Sequence, residues 1–155
     1  MRYTEHGPKG YHFEDVEVGE VRVSQGRTVT EADIVNFGNI IGDFNPLHFD
    51  AEYMKKSMFG KRIAHGMLTL SFATGLGNLM GLNLGTVLAF KGLSVEFKRP
   101  VFIGDTIRLR TTVTDKRESS KQPGGWVTQD FEIVNQDDEV VQSGNWSTLI
   151  AFAPE

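Results

Sequence analysis

Ile41-Gly42-Asp43-Phe44-Asn45-Pro46-Leu47-His48 puts an acid, an amide and an imidazole within six residues, Asp43 to His48. Pro46 fixes its own φ and biases Asn45 away from the helical region. A stiff connection of that kind can hold Asp43 and His48 in one geometry. A carboxylate near an imidazole suits general acid–base work on water. The acid orients the ring and favours its charged form, and the ring titrates near neutral pH. The same residues also suit a plain turn, in which Asp43 and Asn45 bond the backbone and His48 only packs.

A second group is Arg62-Ile63-Ala64-His65-Gly66-Met67-Leu68, where a long uncharged helix begins. A helix N-terminus leaves backbone N–H groups unpaired and favours negative charge. The Gly66 N–H could therefore face a developing oxyanion. The missing side chain would let a carbonyl come close. A glycine required only by packing is the other reading.

The elements that must position these groups are legible in outline. Residues 1–12 are polar and read as an arm, and 13–155 as a single domain. Gly19 to Val29 reads as a strand with Val21 and Val23 on one face. Thr30 caps a helix, with Glu31 and Asp33 in its first turn. Ile34, Phe37, Ile40 and Ile41 give that helix one apolar face, and Gly42 stops it. Asp50 caps a second short helix through Met58, ending at Gly60. Residues 66–80, GMLTLSFATGLGNLM, carry no charge and have apolar or small residues on every side. A helix like that is expected to be buried all round. From Gly85 the pattern has period two, with strands at 86–98, 105–116, 126–135 and 139–151 between turn signals. Helices first and an antiparallel sheet after them make an α+β domain wrapped on one buried helix.

Composition excludes several classes. At 155 residues the chain is one domain long. Net charge is −4 and no segment forms the basic stripe of a nucleic-acid binder, though a local basic pocket could still hold an anionic ligand. The chain has no cysteine, which removes disulfides, thiolate nucleophiles and thiolate metal sites and fits a cytoplasmic protein. The start lacks the apolar core of a signal peptide. The most apolar stretch, Gly66 to Met80, is too short to span a bilayer, so no membrane association is expected.

Four segments carry a resemblance. Ile40 to Asp50 (IGDFNPLHFD after one further isoleucine) is the most specific. RIAHGML at 62–68, FKRPVFIGDTI at 97–107 and FEDVEVGE at 13–20 follow the same pattern. Together they resemble the MaoC-like dehydratases, the (R)-specific enoyl-CoA hydratases and their relatives, over about residues 13 to 151. The resemblance implies a hotdog fold, an antiparallel sheet around a long central helix. It implies a homodimer with the site in a tunnel near the subunit interface. Asp43 and His48 match the family's catalytic dyad, and Gly66 the residue whose N–H binds the thioester oxygen. Asn45 matches a position that holds the loop or the water. The implied reaction is hydration of a trans-2-enoyl-CoA, or its reverse. It uses no metal or redox cofactor, because coenzyme A is part of the substrate.

Other residues draw plainer expectations. His65 belongs to the helix start, His6 and His12 to a solvated arm, and Asp105 to a turn. Lys91, Lys98 and Arg99 could meet phosphates of coenzyme A, or be solvated charges. Thr74 could line an acyl pocket, or bond its own helix. Trp126 and Trp146 fit sheet or interface packing. Two rival activities share the fold: an acyl-CoA thioesterase, and a non-catalytic acyl-CoA-binding module. The intact Asp43/His48 pairing favours the hydratase.

Overall fold

The structure, a computed structural model, describes residues 2–4 and 7–154, with side chains from Gly10 to Pro154. Short strands β1 (Arg2–Thr4) and β2 (Gly7–Lys9) pair with each other, and a 3-10 turn follows at Phe13–Asp15. Then come β3 (Val21–Val23), β4 (Arg27–Thr28), α1 (Glu31–Ile41), α2 (Pro46–Phe49), α3 (Ala51–Lys55) and α4 (Gly66–Leu79). The chain ends in four long strands, β5 (Val87–Phe97), β6 (Thr106–Glu118), β7 (Gly124–Val134) and β8 (Val140–Ala151). The main sheet is antiparallel in the order β3-β6-β7-β8-β5, with β4 also on β6.

The core lies between this sheet and α4. Leu68, Leu70, Ala73 and Leu76 of α4 meet Ile107, Leu109, Phe131, Ile133, Val141 and Trp146. Trp146 stacks on Phe131 at 4.4 Å and donates its indole N–H to Gln129. A smaller cluster ties Phe13 and Val16 to Val113, Val127 and Ile150.

The four late strands fall within two residues of their expected limits. The caps also stand as expected. Thr30 Oγ1 accepts from the Asp33 N–H, and the Asp33 carboxylate accepts from the Thr30 N–H. Such a box is worth about 1 kcal/mol. Asp105 accepts from the Phe102 N–H in the predicted turn.

Four expectations are corrected. The strand expected over 19–29 splits into β3 and β4, because Ser24 Oγ takes the Leu109 N–H that the ladder would have used. Val21 and Val23 share one face of β3 as expected, and that face is exposed. The second helix ends at Lys55 rather than Met58. His12 is 6% exposed rather than solvated, held where the arm turns onto the sheet; His6 lies outside the described residues. Finally, α4 is not buried all round. Met67, Ser71, Thr74, Gly75, Asn78 and Leu79 form an exposed stripe along it. One sheet can cover only one side of a helix, so within one chain the opposite stripe stays open.

Candidate active site

Gly42 closes α1 in the left-handed conformation, φ +77°, and turns the chain away from the helix axis. Asp43 follows at once. Asn45 then caps α2, its side chain accepting from the Leu47 N–H, and Pro46 occupies the first helical position. His48 therefore sits on a one-turn helix, where the sequence suggested only a stiff loop. The Asp43 carboxylate accepts from the Asn45 N–H at 3.1 Å. Both local expectations hold together: the segment is a capped turn, and it also brings Asp43 to His48.

His48 is 7% exposed. Its Nδ1 lies 2.8 Å from the Ile63 carbonyl oxygen. A carbonyl only accepts, so Nδ1 carries the proton and Nε2 is a bare lone pair. That lone pair lies 3.8 Å from Asp43 Oδ2. The gap is too long for a direct hydrogen bond and leaves room for an oxygen bonded to both groups. Ile63 is anchored in turn by donating its N–H to the Leu47 carbonyl.

Burial holds the His48 pKa below the ordinary imidazole value. The bond to the Ile63 carbonyl opposes this, His65 reinforces it, and Asp43 raises the pKa by the smallest amount. Asp43 favours the charged ring as the sequence suggests, but its effect is outweighed and the net shift runs the other way. Desolvation wins over a carboxylate that is itself half exposed. At neutral pH His48 is a neutral base.

Gly66 is the first residue of α4, and the preceding His65 supplies no side-chain cap. The Gly66 N–H thus has no acceptor within the helix. A Cβ at Gly66 would lie 2.5 Å from the Phe97 ring, so the glycine also serves packing. Gly66, His48, Thr69, Phe97 and Gln142 line one cavity of about 300 Å³. Lys98 and Arg99 stand at its wall and are paired with Glu96 and Glu139. Lys91 lies elsewhere, over the Trp126 ring. Thr74 donates to the Ser71 carbonyl of its own helix and lines a second cavity with Leu109 and Trp146.

Two residues outside the sequence-based site contribute. Gln142 is 2% exposed and donates Nε2–H to the Gly66 carbonyl at 2.8 Å, pinning the first turn of α4. It sits among several polar residues of β8, so nothing in the sequence singles it out. His65, expected to serve only the helix start, is 2% exposed and touches both Asp43 and His48. Arg62 makes a two-pronged ion pair with Glu31, which joins α1 to this segment and lowers the Glu31 pKa.

Asp43, His48 and His65 offer ligand atoms within 4.8 Å of one another. They do not fit a shared metal ion. The two imidazoles are stacked, 3.8 Å apart and 27° from parallel. A nitrogen lone pair lies in its ring plane, so two stacked rings aim side by side rather than at one point.

The family described as MaoC like domain matches residues 14–134, the span that holds Asp43, His48 and Gly66. The chain belongs to the MaoC-like domain family. An (R)-specific enoyl-CoA hydratase of Rhodospirillum rubrum is 37% identical to this MaoC-like chain over 105 residues, 67% of this chain and 70% of that one. A solved Archaeoglobus structure, described as a monoamine oxidase regulatory protein, superposes with a TM-score of 0.86 at 42% identity. It covers 94% of this chain and 97% of that one. A double-hotdog protein of Mycobacterium tuberculosis superposes with a TM-score of 0.84 over 94% of this chain and 46% of that one; at 23% identity it speaks for the fold alone. The sheet around α4 in this MaoC-like chain is a hotdog fold. Among the described residues no helix is long and apolar enough to cross a membrane.

Proposed function

We propose that the chain adds water across the trans-2 double bond of an enoyl-CoA thioester, giving the (R)-3-hydroxyacyl-CoA, and runs the reverse dehydration. The 3.8 Å separation of Asp43 Oδ2 and His48 Nε2 carries the reading. Water bonded to both groups is held for attack on C3. His48 Nε2 takes one of its protons as the C3–O bond forms. The C2–C3 π electrons pass toward the thioester oxygen, which the Gly66 N–H stabilises. A proton from the dyad or the same water then returns to C2, and the double bond has gained H and OH. Asn45 holds the Asp43 turn in place through its cap on α2. The name of the Rhodospirillum rubrum relative supports both the thioester substrate and the (R) product.

The test follows the enoyl-thioester absorbance of crotonyl-CoA with purified protein. The absorbance is expected to fall with the native chain and to stay flat with His48→Gln. Thiol release from a saturated acyl-CoA, with no change in the enoyl band, would instead assign a thioesterase. No metal takes part in this scheme, so full activity is expected after exhaustive chelation. A loss on chelation restored by added metal would contradict it.

The lowered His48 pKa has a sign. The neutral base persists to lower pH, so the acid limb of kcat/KM is expected below 6.5, the ordinary imidazole value. A limb above that value would mean that the Ile63 carbonyl and Asp43 together outweigh burial.

The same reading makes the chain a homodimer. β5 is an edge strand, exposed along its length except at Val95. Val87, Leu88, Phe90, Leu93 and Phe97 are all between 43 and 56% exposed. The open stripe of α4 is uncharged, and β5 carries only Lys91 and Glu96 as charges. An apolar edge of this length invites a second strand, and a second copy supplies one. Phe90→Glu combined with Leu93→Glu is expected to turn a sedimenting dimer into a monomer. A native chain that sediments as a 17.3 kDa monomer would remove the dimer from the scheme.

A further inference from the structure

His65 is buried between the two halves of the candidate dyad. Its Nε2 lies 3.0 Å from the main-chain carbonyl oxygen of Asp43. The carbonyl can only accept, so Nε2 carries the proton. One face of the ring stacks on His48, with centroids 3.8 Å apart. Phe37 and Phe49 meet it edge-on at 5.3 and 5.9 Å. The next residue in the chain is Gly66, the first of α4. One side chain thus contacts both members of the dyad and directly precedes the proposed oxyanion donor.

The ring is a poor choice for stability alone. Its Nδ1 is buried and has no hydrogen-bond partner among the described residues. Burying a ring nitrogen that has no hydrogen-bond partner costs free energy. A phenyl ring, though somewhat larger, would keep the contacts with Phe37, Phe49 and His48 and would bury no ring nitrogen. A buried polar group kept at a net cost calls for a role other than packing.

We propose that His65 is the positioning residue of the dyad. Its ring face sets the plane of His48 and its Nε2–H tethers the Asp43 main chain, so that together they define the gap in which carboxylate and imidazole share a water. It touches neither the water nor the substrate in this scheme. The charged and titratable groups around His48 are Asp43 from the turn after α1, His65 from the start of α4, and Lys98 and Arg99 from the end of β5 across the cavity. His65 opposes a positive charge on His48.

Two substitutions separate the two contacts. His65→Phe keeps the stacked ring and removes the tether. His65→Gln keeps an N–H donor at the same reach and removes the ring. The kinetic arm rests on the hydratase reading; the titration and melting arms do not. His65→Phe is expected to melt no lower than the native chain, yet to lose about tenfold to a hundredfold in kcat on crotonyl-CoA, the scale of a small misplacement of reacting groups. Its KM should stay within about threefold of native, because no substrate contact is lost. His65→Gln should recover part of that kcat through its donor. In its NMR titration the His48 imidazole should move to higher pKa, since the ring that opposes its charge is gone.

A His65→Phe variant with more than half the native kcat would overturn the proposal. So would a rise in KM at unchanged kcat, or an unmoved or lowered His48 titration in His65→Gln. If His65→Phe does not fold, packing is the ring's main role and the proposal falls. If the native chain hydrates nothing, the hydratase reading fails on that result alone, and the titration and melting results still decide whether His65 positions His48.

Discussion

Replacing His48 with Gln is expected to lower turnover on an enoyl-CoA by about 10²–10⁴, the usual contribution of a positioned acid–base group. Gln is close to the imidazole in size but carries its amide at the Nε2 position, so the Nδ1–H bond to Ile63 is lost as well; the thermal melt of the variant separates that structural cost from the chemistry. What disappears from the chemistry is the bare Nε2 lone pair that takes the proton. Asp43→Asn is expected to cost a similar factor. Its side chain is exposed on one side, and its oxygen still accepts from the Asn45 N–H. The loss should therefore appear in kcat with little change in melting temperature. Because both residues act on one water, the double variant should be little worse than either single variant. Steady-state kinetics with a thermal melt of each variant checks this. Activity above about a tenth of native in either single variant would remove that residue from the chemistry.

The second large effect concerns one hydrogen atom at Gly66. A proline there deletes the N–H. The backbone is suited to it, because the first position of a helix tolerates proline and His65 is extended, φ −56° and ψ 131°. The obstacle is Phe97, whose ring fills the place of any Cβ. Both tests are therefore made in a Phe97→Leu background. Gly66→Ala keeps the N–H and is expected to retain most of the activity of that background. Gly66→Pro removes it and is expected to lose a further 10²–10³ in kcat, the scale of one oxyanion donor. Equal activity in the two variants would show that the Gly66 N–H stabilises nothing in the transition state. Comparing alanine with proline cancels the Cβ contact with Phe97, which a single proline substitution would leave mixed with the chemistry.

What the sequence alone could determine lies on short stretches of chain. Gly42, Asn45 and Pro46 dictate the turn that brings Asp43 to His48, because a left-handed glycine, an amide cap and a proline at the first helical position each act within a few residues. Thr30 and Asp33 start α1 by the same kind of local bonding. Period-two hydropathy marks β5 to β8, and the uncharged run from Gly66 marks the helix that the sheet wraps. The proposed site of chemistry was legible for that reason.

Only the tertiary structure decides the state of that chemistry. The proton on His48 is placed by Ile63, 15 residues away. The Asp43 turn is tethered by His65, 22 residues on, and the first turn of α4 by Gln142, 76 residues on. No periodicity encodes such pairs, because each is a meeting of separate elements. The direction of the His48 shift follows the same rule. A carboxylate five residues away in sequence suggests a raised pKa, whereas desolvation by packed neighbours lowers it. The split of β3 from β4 rests on one Ser24 hydroxyl displacing a ladder bond. The open stripe of α4 and the bare edge of β5 come from topology, since a single sheet covers one side of a helix and leaves one edge unpaired. Local bonding and hydropathy are written residue by residue, but burial and long-range hydrogen bonds exist only once the chain has closed on itself.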